Sequence, residues 1–215
     1  MVKTVEAPPE LHPTIESIEA KYEDIMSKEL KYLPEKSRIQ LVGENVMFIG
    51  LKSIGISLKD ELDSVLGVSG RNIVIYRLGQ AFGRSEAQRL LPILGYTDPV
   101  RRLLAGPIWA AYSGFVRVRL LPGSNVASDE NYFLFYEHPD NFEAQLWKAA
   151  GRTSHDPVCH FNAGYSSGWC SVATGLELDA EEVMCEAAGH KVCRFIMYPS
   201  SKRLLYQEKL DEYRK

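Results

Sequence analysis

The sequence predicts a mixed α/β fold of the α+β kind: a single domain in which antiparallel strands and packed helices share one core. Three observations predict it. Stretches with apolar residues at helical spacing are interleaved with short runs rich in β-branched and aromatic residues. No clean linker separates them, so unlike elements must bury one another. Finally, 215 residues at 45% hydrophobic content can close a core without an external staple.

Residues 1–13 are Pro-rich and read as loose chain. From Thr14, a capping residue type, Ile15, Ile18, Tyr22, Ile25 and Met26 recur at helical spacing and form an amphipathic arm that needs a partner surface. Ile39–Val42 and Val46–Ile49, separated by Gly43-Glu44-Asn45, predict a hairpin. Ser57–Leu66 reads as a helix stopped by Gly67, and another helix runs from about Gly70 to beyond Ala81. On the latter, Gly79 and Gly83 sit four apart, which favours close helix packing at some cost in helix propensity.

Gly114–Leu121 and Tyr132–Tyr136, with the turn-forming Pro122-Gly123-Ser124-Asn125 between them, predict neighbouring antiparallel strands. Asp140 with Glu143 three residues later has capping-box spacing and opens a helix through Leu146, Trp147 and Ala150. Asp156 as cap and Pro157 at the first position open a helix to about Ala173, with Gly164 and Gly168 on one face. Val183–Cys185 and Val192–Tyr198 read as strands flanking the turn Ala188-Gly189-His190. The charged tail Ser201–Lys215 has helical spacing in Leu204, Leu205, Tyr206 and Leu210.

Composition narrows the function classes. Net charge is −3 and the Lys and Arg residues are scattered, leaving no basic stripe for a phosphate backbone, so direct nucleic-acid binding is not expected. The first residues lack a signal-peptide apolar core, and no stretch reaches the roughly 18 apolar residues of a membrane helix. The expectation is a soluble, cytoplasmic protein without a membrane part. In a reducing compartment the four cysteines are buried thiols or metal ligands rather than disulfides.

Three of those cysteines carry a sharper possibility. Cys159, Glu182, Cys185 and Cys193 supply three thiols and a carboxylate, which is a full tetrahedral set for Zn2+ with no position left for a catalytic water. Such a site would be structural. The spacing lacks paired C-x-x-C knuckles, so packed thiols remain the alternative on spacing alone, and Cys170 reads as a core thiol. Gly164-Tyr165-Ser166-Ser167-Gly168 matches the G-x-S-x-G nucleophile elbow, with Asp179 and His190 following in hydrolase order. An elbow needs a buried strand before its Ser, whereas here His160 and Asn162 precede a small-residue helix. With no dinucleotide fingerprint, P-loop or cofactor-lysine motif either, no enzymatic role is expected.

Cys159, the run Glu182-x-x-Cys185-x-Ala-x-Gly189-x-x-x-Cys193, Gly164-Tyr165-x-x-Gly168, Gly106-Pro107 with Gly114, Glu61-Leu62-x-x-x-Leu66-Gly67 and Arg77-x-Gly79-x-x-x-Gly83 carry a family resemblance. Over roughly residues 30–200 the chain resembles the N-terminal effector-sensing domain of phenol- and xylene-responsive bacterial transcription activators, which ends in the module named after 4-vinyl reductase. The resemblance implies a structural zinc held by Cys159, Glu182, Cys185 and Cys193. It also implies a pocket for a small apolar or aromatic ligand, a homodimer, and an output domain or partner protein that receives the signal. Residues 1–29 would be a dimerisation arm, 30–200 the sensing domain with a zinc-binding lobe at about 135–200, and 201–215 the start of a signalling helix. Leu103, Trp109, Phe115, Tyr136 and Trp169 fall at or near pocket-lining positions. The two polar anchors of phenol-sensing relatives are replaced by Ala110 and His138, so His138 becomes the candidate single anchor. A pure dimerisation or adaptor module, or a reductase acting on a tetrapyrrole vinyl group, is the competing reading.

Overall fold

The computed structural model describes residues 2–213. In chain order the elements are β1 (Val5–Glu6), α1 (His12–Glu29), β2 (Leu30–Leu33), β3 (Arg38–Leu41), β4 (Glu44–Val46), α2 (Leu58–Leu94), α3 (Pro99–Tyr112) and β5 (Val118–Leu120). There follow β6 (Leu134–His138), α4 (Phe142–Ala149), α5 (His160–Thr174), β7 (Leu178–Met184), β8 (Cys193–Pro199), α6 (Arg203–Gln207) and α7 (Leu210–Tyr213). The main sheet has the order β1-β5-β6-β8-β7 and is antiparallel apart from the β1–β5 pair, while β2, β3 and β4 form a separate antiparallel sheet. The mixed fold with antiparallel strands and packed helices is the one the pattern predicts.

Period-two alternation gives the main sheet two apolar faces. On β8, Phe195 and Met197 enter the main core, while Ile196 and Tyr198 belong to a smaller cluster on the opposite side. The chain's end covers that outer side: Tyr206 stacks on Phe133 and Tyr198, and Tyr213 lies against Phe133 and Phe135. The tail is therefore two short helices laid on the sheet, with Leu204 exposed. Arg214 and Lys215 lie outside the described residues.

The N-terminal stretch is more ordered than its prolines suggest. Val5 and Glu6 pair with Val118 and Arg119, and the buried Glu19 carboxylate accepts from the backbone N–H of Lys3 and Thr4 and from the Thr4 hydroxyl. α1 starts at His12 rather than Thr14, since Pro13 in the first turn forfeits no helix hydrogen bond. Its apolar stripe finds a partner within the same chain: Tyr22 packs on Trp109 of α3 and donates to the Ala105 carbonyl at 3.1 Å.

Several boundaries differ from expectation for identifiable reasons. The β3–β4 turn is Val42-Gly43, not Gly43-Glu44-Asn45; both residues have positive φ (53° and 79°), the geometry in which a two-residue loop follows strand twist. Gly67 (φ 68°) kinks α2 rather than ending it, and the helix continues to Leu94. α3 has no counterpart among the predicted elements, because Pro107 in its interior reads as a breaker; Asp98 caps it by accepting from Val100 and Arg101.

Two devices set the position of α5. Gly79 and Gly83 of α2 face Gly164 and Gly168 of α5: a Cβ on Gly164 would lie 2.9 Å from the Tyr76 carbonyl carbon, and one on Gly79 2.9 Å from the Tyr165 nitrogen. Only hydrogen allows this approach, so the paired glycines do what their spacing predicts. The N-terminus of α5 is capped from a distance. The expected Asp156 and Pro157 lie outside the helix, and the Glu143 carboxylate accepts from Phe161 N (3.2 Å) and Asn162 N (2.8 Å). Glu143 is therefore not the far half of a capping box. Asn141 caps α4, and Asp140 adopts a left-handed conformation. Lys59 completes the arrangement, 2.7 Å from Glu143 and donating to the Val158 carbonyl at 2.6 Å, both side chains being buried.

Candidate metal cluster and ligand cavity

Glu182 and Cys185 are three residues apart, an odd offset that in a regular strand points side chains to opposite faces. The β7–β8 register breaks between Glu182 and Met184: Glu182 pairs with Phe195 and Met184 with Arg194, so Val183 is an extra residue. This bulge turns Cys185 to the side of Glu182. Cys193 starts β8 on the inner face, and Cys159 arrives immediately before α5. One ligand atom from each of Cys159, Glu182, Cys185 and Cys193 lies within 4.8 Å of all the others.

The donor set fits a tetrahedral thiolate-rich metal. The Cys159 and Cys193 sulfurs are 3.7 Å apart. Two sulfurs each about 2.3 Å from one tetrahedral ion would be about 3.8 Å apart. Glu182 Oε1 is sealed from solvent without a hydrogen-bond partner, while its Oε2 accepts from Cys159 N at 2.9 Å. The charges are frustrated without a cation. Cys185 is drawn to the thiolate form by the Cys159 and Cys193 thiols donating to it, whereas burial pushes Cys159 and Glu182 upward. A divalent ion would let all four ionise together. The Glu186 N–H directed at Cys193 Sγ (3.5 Å) is an outer-shell donor suited to a thiolate.

The cavity lies farther along the same face of the sheet. About 90 Å3 is enclosed between α3, the middle of α5 and the inner faces of β5, β6 and β8, with Leu104, Val116, Val118 and Leu134 among its apolar walls. α5 contributes Tyr165, Ser166, Trp169 and Cys170. Among the described residues no charged side chain lines it. The Tyr136 hydroxyl is buried and has no hydrogen-bond partner.

Residues 25–122 match the family described as Activator of aromatic catabolism, and residues 140–199 match the 4-vinyl reductase domain family. These two segments belong to those families. The chain is 27% identical over 171 residues to the Transcriptional regulatory protein XylR of Pseudomonas putida, covering 80% of this chain and 30% of that protein. It thus spans about a third of the length of that relative. The crystal structure of the phenol-responsive sensory domain of the transcription activator PoxR with phenol superposes with a TM-score of 0.75 at 21% identity, over 97% of this chain and 100% of that one. The recognised resemblance to an N-terminal effector-sensing domain of aromatic-responsive activators is thereby shown.

Against that family frame, the expected pocket residues divide. Leu103, Ala110, Tyr136 and Trp169 line the cavity. His138, Trp109 and Phe115 do not. His138 follows Tyr136 on the same face of β6, about 7 Å farther along. There it pairs with Cys193 beyond the cavity end, enclosed by Tyr136 and Phe195. It is fully buried, and burial lowers its pKa to about 3, so it is neither a loop residue nor placed as the cavity's anchor. Trp109 points to the α1–α2 side, donating to Glu86 and packing on Tyr22. Phe115 lies against Phe142, Phe161 and Tyr165. Ser166 escaped prediction as a binding group because its motif pointed to hydrolysis. It sits inside α5 rather than on a strand-to-helix elbow, Asp179 pairs with Arg203, and His190 is engaged with the Cys185 backbone. Those three residues form no triad.

Proposed function

We propose that this chain is a sensory module stabilised by one structural zinc, that its cavity takes a small apolar or aromatic molecule, and that occupancy passes to an output module or partner protein. The observation that carries this reading is the double role of α5. The helix follows directly from Cys159 of the cluster and supplies Tyr165, Ser166, Trp169 and Cys170 to the cavity. A ligand that favours one position of α5 therefore bears on the metal lobe and on α2 through the paired glycines, which is the differential binding that signalling requires. Zinc, when bound, would hold β7, β8 and the start of α5 together through Cys159, Glu182, Cys185 and Cys193 and would do no chemistry of its own. The XylR and PoxR relatives, both transcription regulators, support a regulatory rather than enzymatic role.

The reading includes a homodimer. Exposed Val65, Leu66, Val68 and Ile73 around the α2 kink, and Tyr32, Met47 and Phe48 near the small sheet, are apolar surface of the kind a second copy would cover. The tail from Ser201 is the proposed path to the output. Metal analysis of the purified chain should give one zinc per chain. A thermal-shift screen of single-ring compounds should raise the melting temperature, because a ligand at 100 times its Kd adds about 2.7 kcal/mol to the folded state. Absence of zinc would remove the metal part of the reading, and a panel without any stabilising compound would remove the sensory part.

A further inference from the structure

We infer that the Tyr136 hydroxyl, with Ser166 beside it, is the polar anchor of the cavity, and that the ligand is a small uncharged ring compound carrying one oxygen acceptor. This deepens the sensory reading and rests on it. Tyr136 is 1% exposed, lines the cavity, and has an unpartnered hydroxyl. The other lining groups with polar hydrogens are engaged: Tyr165 donates to Glu86 at 2.5 Å, Trp169 to the Arg102 carbonyl at 3.2 Å, and Tyr132 to Met197 Sδ at 3.6 Å. The Ser166 hydroxyl is near enough to favour ionisation of Tyr136, yet burial outweighs it and holds the phenol well above its ordinary pKa. Tyr136 is therefore a neutral donor at physiological pH. A buried donor left unmade is costly, so an acceptor atom delivered by the ligand is worth more here than in water. With no charged residue in the lining, a carboxylate or ammonium ligand would enter uncompensated and is excluded. The anchor sits on β6 and α5, away from the Ala110 and His138 positions.

The test is calorimetric titration of the full chain and of Tyr136→Phe with toluene, phenol, benzaldehyde and benzoate. Tyr136→Phe should weaken phenol and benzaldehyde by about tenfold or more, leave toluene within about twofold, and cost no thermal stability, since the hydroxyl it removes is unpartnered. Benzoate should not bind either protein. Equal effects on toluene and the oxygenated compounds, no effect on any of them, or tight benzoate binding would overturn the anchor. Toluene binding without oxygen selectivity sinks the anchor alone; no binding by toluene, phenol or benzaldehyde sinks the sensory reading with it.

Discussion

Gly164→Ala sets two effects of opposite sign against each other. In an exposed helix the change would stabilise by about 1 kcal/mol, because alanine loses less backbone freedom on folding. At Gly164 the added methyl would meet the α2 backbone, 2.9 Å from the Tyr76 carbonyl carbon and 3.0 Å from Gln80 N. A methyl needs about 3.5 Å from such atoms. Backbone cannot rotate aside as a side chain can, so α5 and α2 must separate by several tenths of an ångström along an interface that also includes Gly79, Gly83 and Gly168. Overpacking of this kind costs about 1–3 kcal/mol, with further loss wherever neighbouring contacts open, so a net destabilisation of about 2–4 kcal/mol is expected. The assay is reversible denaturant unfolding with the zinc content held constant, together with a melting scan in which the loss reads as roughly 5–15 °C. A variant as stable as the parent, or more so, would show that the helices are not packed through their glycines.

Cys185→Ala should abolish zinc binding and cost about 3–5 kcal/mol in unfolding, whereas Cys170→Ala should leave the metal content unchanged; atomic emission and denaturation check both. Lys59→Met should cost about 3–5 kcal/mol by stranding the buried Glu143 carboxylate, and the Lys59→Met/Glu143→Gln double variant should recover part of it by double-mutant cycle. Burial lowers the His138 pKa to about 3 from 6.5, so between those values the unfolded chain binds a proton that the folded chain refuses. Its contribution is complete above pH 6.5 and is lost as pH falls toward 3, by about 1.4 kcal/mol per pH unit. The stability of His138→Leu should have a correspondingly shallower acid slope than the parent, and parallel slopes would show that His138 does not titrate with unfolding.

Features whose meaning is local were legible in the sequence. The four-residue spacing of Gly79 and Gly83, and of Gly164 and Gly168, marks helix faces whatever they pack against, and the amphipathic stripe of α1 shows which side must be covered. Residue chemistry was enough to collect Cys159, Glu182, Cys185 and Cys193 into one set. What remained hidden depends on register and on distant chain. The Val183 bulge that turns Cys185 toward Glu182 is a property of the β7–β8 pairing. The cap of α5 comes from Glu143, a residue whose local spacing suggested a different partner. α3 was masked by Pro107, which is tolerated because Asp98 and neighbouring elements hold the helix.

The cavity shows the division most clearly. By itself the sequence determined an α+β chain with a closed donor set and small-residue helix faces, since these follow from side-chain chemistry and period. Which polar group faces the cavity was decided only by the tertiary structure. Tyr136 and His138 share one face of one strand, and two residues of rise place the first against α5 and the second beside Cys193. Alternation can assign both to the inner face, but only the elements packed along that face determine what each one meets.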